Sequence, residues 1–429
     1  MMNHYHNDDL LRMQQGRTVP ANTPVRNLTI GVPYIETQHG KSILHCSVTL
    51  GNIEQNVYFS VEEEFGQYLC YERADAFLIG LLNLAMRERC DIHCLAPVTA
   101  ELLHQLNTEL IPALTKYDKA LYAPIISATS DSSPLPCAGK IGTGCSCGID
   151  SLFAIKSLKE SGNFEPDYVT LNNVGAYTGQ TTSQKRYQDN ADNARALAKE
   201  YGLSIIVSDS NFADAFPQNH YRTHLFSSTF AIFALRKLWK RYYYASAGCD
   251  LEKNFSLTNN HQYGAVKYDL IALNAFSIPS LRICNQGMCF SRYEKTKVLL
   301  NYKPAHRYLN VCLTQGKGHC GHCSKCLRTL WTLDALDALE HFRQVFDIDF
   351  YKNNHSEYMY KLCLAHLHGV GMIDEAYEIL RHRIPNNIQK QALTAFRAEK
   401  HRNYRKKVYS KIKFHLKRML HGVKRQSRA

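Results

Sequence analysis

The chain has 429 residues, 45% of them hydrophobic and 21% charged, the composition of a soluble globular protein with room for two or three domains. The formal net charge is +13, but the stretch Arg397 to Arg428 holds thirteen Lys and Arg against one acid, Glu399. The rest is nearly neutral, which excludes a broad nucleic-acid-binding surface there, and the longest apolar run, Ala76 to Met86, is too short to span a bilayer.

Residues 1–26 read as a poorly ordered polar leader, and Met1 to Asp9 lacks the apolar segment of a secretory signal. With fifteen cysteines and no export signal, thiols and metal ligands in a reducing cytoplasm are expected rather than disulfides. From Leu28 to about Leu69 the pattern is β, with Ser42–Leu50 and Val57–Val61 flanking a hairpin loop at 51–55. Helices are expected near 74–89 and 98–116, and a small-residue loop, Ser127 to Pro136, marks a boundary. Cys90 and Cys94 read as buried cysteines at a helix end, not as metal ligands.

From Ala138 to about Asp269 strands and helices alternate. Strands are expected at 138–144, 168–171, 204–208 and 242–246, and helices at 150–161, 189–201 and 224–240. The spacing predicts a parallel, doubly wound α/β sheet with ligands bound beyond the carboxyl ends of its strands. The run Gly142 to Ser151 joins the first of these strands to a helix through small residues. Its unpartnered amides can cradle an anion, with Ser146 and Ser151 adding hydroxyls. Residues 327–384 read as all-helical.

Cys312, Cys320, Cys323 and Cys326 form C-x7-C-x2-C-x2-C around a Gly-rich turn. Four thiolates suit a closed, structural Zn²⁺ site, with an iron–sulfur cluster or free thiols as alternatives and His319 and His322 as substitute ligands. In the tail, Val408, Ile412, Leu416, Met419 and Val423 recur at helical spacing among Lys and Arg. Such a basic amphipathic helix can lie on an anionic membrane surface or dock on a partner; a solvated or RNA-binding tail is the alternative. A cytoplasmic protein with peripheral membrane or protein contact through 397–429 is expected.

Ser146-Cys-Gly-Ile-Asp-Ser151 resembles the S-G-G-x-D-S signature of the PP-loop ATP pyrophosphatases, of adenine-nucleotide α-hydrolase (HUP) fold. The cysteine spacing followed by Leu327-Arg328 resembles the zinc site of the 7-cyano-7-deazaguanine synthases within that superfamily. A looser likeness joins Ser291-Arg-Tyr-Glu-Lys295 and Cys320-Gly-His-Cys-Ser-Lys-Cys-Leu-Arg-Thr329 to bacterial proteins that carry SR-x-E-K and C-x2-C-x-K-C-x-R-T segments. Cys147 stands where the family has the first glycine of its pair.

The resemblance implies cleavage of ATP to AMP and pyrophosphate, with Mg²⁺. A small-molecule carboxylate or amide is adenylated, and a nitrogen or sulfur nucleophile then displaces AMP. Gly144, Ser146, Cys147, Gly148 and Ser151 would hold the phosphates. Asp150 would help hold Mg²⁺ or orient the loop, and Arg282, Arg292 and Lys295 would act as phosphate or substrate clamps. Asn172, Asn173 and Gly175 would lie where the family contacts adenine. No N-terminal glutaminase is expected, since Met2-Asn3 offers no Cys nucleophile.

The expected organisation is an N-terminal α+β domain (1–135), a PP-loop nucleotide-binding domain with the zinc loop (136–330), a helical extension (331–395) and the basic tail (396–429). Two other readings use the same residues. Gly144-Cys-Ser-Cys-Gly148 is also G-x-S-x-G, the nucleophile elbow of α/β-hydrolases, with Ser146 as nucleophile, Asp209, Asp250 or Asp269 as acid and His261 or His306 as base. Asp150-Ser151 and the cysteine cluster are foreign to that pattern. The other is a non-catalytic nucleotide-binding scaffold.

Overall fold

In strand β3 (Lys41–Leu50) alternate residues from Ser42 to Leu50 are buried. That two-residue period fixes one face of the strand on a core. The strand pairs antiparallel with β4 (Ile53–Glu62) from Lys41↔Glu62 to Leu50↔Ile53. The connecting turn is therefore shorter than the expected 51–55 loop; Gly51 takes φ +59° to make it. The computed structural model describes residues 12–177, 183–247, 268–314 and 318–405.

β1 (Arg26–Ile30) pairs antiparallel with β3 and parallel with β5 (Cys90–Cys94), and β2 (Tyr34–Gln38) pairs with β3. Between β4 and β5, helix α1 (Asp75–Glu88) is buried along its whole length. Even its charged ends are enclosed, each beside a fixed partner: Asp75 with Arg236 and Thr99, Glu88 with Arg12 and Arg26. Paired and hydrogen-bonded charges can be enclosed where single ones cannot. The pair with Arg12 corrects the expected leader. Met13 and Val19 are buried in the core, so the ordered fold reaches back to the first described residues. The expected helix at 98–116 is α2 (Ala100–Gln105) and α3 (Ile111–Tyr117), joined by a π-turn at Leu106–Leu110. Pro112 lacks the amide that would bond back to Thr108, which favours a widened turn.

After a short β6 (Ile126–Ser127) come the alternating units: β7 (Lys140–Gly144), α4 (Ile149–Glu160), β8 (Tyr168–Asn173), α5 (Ser183–Glu200), β9 (Ser204–Ser210), α6 (His220–Ala234), β10 (Trp239–Ala245), α7 (Asp269–Phe276) and β11 (Arg282–Gln286). The strand expected at 242–246 begins three residues earlier, at Trp239, because α6 stops at Ala234. β7 to β11 are mutually parallel, in the order β11-β10-β7-β8-β9. In chain order that is 3-2-1-4-5. The winding reverses between β7 and β10, and the crevice beyond their carboxyl ends is where such sheets bind ligands.

The sheet does not end at residue 135. β9 pairs antiparallel with β4 through Asp209↔Ser60 and Ser210↔Phe59, giving one eleven-stranded sheet, β11-β10-β7-β8-β9-β4-β3-β1-β5-β6 with β2 on β3. Residues up to Cys320 form one compact unit, and residues from Gly321 a second. Helices α8 (Arg292–Leu299) and α9 (Lys303–Tyr308) complete the first.

The second unit is helical, as expected: α10 (Ser324–Ala335), α11 (His355–Leu367) and α12 (Asp374–Leu380), then a helical run at 386–405. Trp331 donates its indole N–H to the Tyr358 carbonyl at 3.1 Å, and Tyr351 and Tyr358 are fully buried around it. The apolar stripe of the basic tail, Val408 to Val423, lies outside the described residues. No described helix is long and apolar enough to cross a membrane.

Candidate functional site

β7 delivers the Gly142–Ser151 run to the switch point. The Cys145 amide still bonds the Thr170 carbonyl of β8 at 2.7 Å, and then the chain turns. Gly148 caps α4 in an extended conformation, with no side chain satisfying the first helical amides. The first helical bond is Leu152 N–H to Gly148 O at 3.0 Å. The amides of the first turn thus stay available to an anion, with the helix dipole behind them. Ser146 is exposed, its hydroxyl 3.2 Å from that of Ser151. The two hydroxyls meet at the mouth of the loop.

Cys147 makes the turn, at φ +56°. A left-handed conformation suits glycine and costs another residue about 1 kcal/mol. This explains in local terms why a glycine is expected here. The thiol does not crowd the mouth: Cys147 is 1% exposed, and its side chain lies beside Cys145 and Asn193. The neighbouring thiol and burial push its pKa well up, so it stays protonated and is a poor nucleophile. Its carbonyl accepts the Asn310 amide at 2.8 Å.

The segment Ser291-Arg-Tyr-Glu-Lys295 has a mechanical explanation. Ser291 caps α8 by accepting the Glu294 amide at 3.1 Å, and Glu294 accepts the Ser291 amide at 2.8 Å. This reciprocal box fixes the first turn. Arg292 and Lys295, three apart on one face, then reach the same carboxylate. Arg292 donates to Asp150 Oδ2 at 2.8 Å and Lys295 Nζ to Asp150 Oδ1 at 3.2 Å. Lys295 has no solvent exposure and also donates to the Ser246 carbonyl, just past β10, at 2.7 Å. Gly287 (φ +81°) makes room for it: a Cβ there would stand 2.8 Å from the Phe153 ring and 3.2 Å from Lys295 Cε.

Behind this cluster sits Asp269 at the start of α7, fully buried. It accepts the Ser246 hydroxyl at 3.2 Å on Oδ2, while Oδ1 is buried and unpartnered. Burial pushes its pKa up to about 7, against the Ser246 hydrogen bond and the Lys295 charge, which pull it down. Sequence reasoning missed Ser246 here and placed Asp269 only in the hydrolase reading. The small-residue run Ala245-Ser-Ala247 after a strand was the available signal.

Other expected residues lie elsewhere or are already engaged. Arg282 begins β11, level with Arg241 and through it with Ile141, at the amino ends of the strands and away from the loop. It cannot join Arg292 and Lys295 as a clamp. Asn172 spends its side chain on Thr170 (3.2 Å) and Ser208 (2.7 Å), and Asn173 donates to Asp209 at 2.6 Å. Gly175 takes φ +133°, where a Cβ would stand 3.0 Å from His220 Nδ1. The hydroxyl of Ser146 bonds Ser151 and the Gly148 amide, and no imidazole is hydrogen-bonded to it among the described residues. His306 Nε2 sits 2.9 Å from the Leu300 carbonyl, and Asp250 and His261 lie outside the described residues.

The thiols of Cys312, Cys320, Cys323 and Cys326 lie within 4.8 Å of one another, a grouping that can bind a metal ion such as zinc. Gly318 and Gly321, at φ +76° and +72°, make the turn, Cys323 caps α10 and Cys326 falls in its first turn. The helix N-terminus favours the thiolate forms a metal requires. His319 is not in the grouping: its Nε2 accepts the Val311 amide at 3.0 Å. Cys90 and Cys94 are buried as expected, at the two ends of β5, Cys90 directly after the Arg89 cap of α1, and burial pushes their thiols up to about 11 and about 12.

The turn at Cys147 predicts a size-ordered response. Cys147→Gly should leave stability within about 1 kcal/mol, relief of the left-handed strain offsetting the lost thiol contacts. Cys147→Val, β-branched at φ +56°, should lose about 2 kcal/mol or more by chemical denaturation. Equal losses for both would mean that packing, not backbone conformation, rules the position. Compared with protein-family models, curated proteins and solved structures, the chain matches none of them.

Proposed function

We propose that the chain is a PP-loop-type ATP pyrophosphatase that adenylates a small-molecule carboxylate or amide. The observation that carries this reading is the convergence of Arg292 and Lys295 on the start of α4 at the switch point. The 3-2-1-4-5 strand order, of adenine-nucleotide α-hydrolase type in this reading, supports it.

In this reading an acceptor oxygen attacks the α-phosphorus of ATP, the α–β bridging bond breaks, and pyrophosphate leaves with its electron pair. The first amides of α4, Ser146 and Ser151 hold the departing group, and Arg292 and Lys295 offset its growing negative charge. A nitrogen or sulfur nucleophile then attacks the adenylated carbon and expels AMP. Cys147, turned inward, leaves the mouth clear. Each Asp150 oxygen accepts one hydrogen bond, from Arg292 and from Lys295, which leaves a lone pair on each that could ligate Mg²⁺. Asp150 also fixes the two cations.

The test is product identity. Incubated with ATP and pooled cellular metabolites, the full chain should release AMP and pyrophosphate, and Arg292→Ala should lower kcat/KM about 100-fold. Release of ADP and phosphate, or labelling of Ser146 by a fluorophosphonate, would overturn the reading. Binding of ATP with no release in any pool would favour the scaffold.

We also propose that the four cysteines hold a structural zinc ion, since four thiolates leave no open position for substrate. The purified chain should contain about one zinc, with no visible absorption, and Cys323→Ser should lose the metal and lower Tm. An iron–sulfur spectrum, or full thiol titration of the native chain with unchanged Tm, would contradict this.

A further inference from the structure

An open cleft of about 680 Å³ lies between α7, the end of α2 and strand β11. Its size is that of small-molecule sites. Leu270, Leu273 and Ile278 give it an apolar wall. Three polar features interrupt that wall. Arg282 faces it and takes part in none of the described hydrogen bonds or ion pairs. Glu101 faces it too, accepting the Gln105 amide N–H at 3.2 Å; Gln105 Oε1 is left buried and unpartnered. Asn285 has both side-chain amide atoms buried and unpartnered. Leaving the buried amide atoms of Asn285 and Gln105 unpaired costs roughly 1–3 kcal/mol each, so a ligand that completes them has a built site.

The pattern specifies the ligand class. The exposed Arg282 guanidinium, with no protein partner among the described residues, can pair with a carboxylate. A carboxylate beside an unpaired amide oxygen calls for an N–H donor, best a cationic one. The apolar wall calls for a hydrocarbon body. We propose that this cleft binds an α-amino acid with a large apolar side chain, as the zwitterion, its carboxylate on Arg282 and its ammonium toward Glu101 and Gln105. The site is distinct from the phosphate loop, because Arg282 lies at the amino ends of the strands, and it rests on no part of the ATP reading. Its walls do reach the other site: α7 begins at Asp269, and β11 leads into Gly287 beside Lys295. An occupant thus braces two elements that border the cation cluster.

The test is isothermal titration of the full chain with L-phenylalanine, L-leucine and L-tryptophan, with phenylacetate and phenethylamine as comparators lacking one charge each. At least one amino acid should bind once per chain, and each comparator at least about tenfold more weakly. Arg282→Gln, at an exposed position, should weaken binding about tenfold or more with unchanged Tm. Asn285→Leu should weaken binding while raising the Tm of the ligand-free chain, because it removes the unpaired amide. No binding of any amino acid at about 10 mM overturns the proposal, as do comparators that bind equally well. So does an Arg282→Gln variant that binds like the unmodified chain.

Discussion

An ammonium group with no solvent exposure must be held by fixed oxygens, or it gives up its proton. Lys295 is held by Asp150 and by the Ser246 carbonyl. Those contacts draw together three elements distant in sequence: the helix after β7, the end of β10 and the first turn of α8. They meet where the parallel sheet reverses its winding. The geometry of the crevice therefore depends on this one buried cation. Arg292 shares its carboxylate, and the Ser291–Glu294 box keeps both side chains on the same face. The cost of burying charge is met by mutual pairing, and the result is a rigid, positively charged wall beside unsatisfied amides.

The N-terminal region has a structural part in this arrangement. β9 would otherwise be the edge of the parallel sheet, and β4 covers it. Asn211 clamps the junction, accepting the Tyr58 amide at 2.8 Å and donating to the Asn56 carbonyl at 2.8 Å. Behind it Phe59, Phe77, Phe212 and Phe230 interlock in the core. The expected boundary near residue 135 marks a change of pattern, from hairpins to alternating units, and the hydrogen-bonded sheet runs across it.

Local signals in the sequence carried far. The strand–helix alternation, the loop at 142–151, the buried helix near 74–89 and the cysteine spacing each depend on periodicity or on ligand distance, which a single segment displays. What stayed hidden depends on tertiary partners. Nothing near Met13 shows that Glu88 waits for Arg12. Arg282 looks like Arg292 in a list of cations, yet strand register puts it at the other end of the sheet. Cys147 reads as an irregular glycine substitute, and only its inward thiol shows that the mouth stays clear. Ser246 contributes a backbone carbonyl, which no side-chain pattern announces.

In the proposed function Lys295, through Asp150, builds an anion cradle for the phosphate chain of ATP. The most direct measurement is calorimetric binding of α,β-methylene-ATP, which cannot be cleaved at the relevant bond, to the full chain and to Lys295→Met. The unmodified chain should bind it, and the variant should bind at least about tenfold more weakly with secondary structure retained in its circular dichroism. Equal binding by both chains, or none by the unmodified one, would contradict this reading.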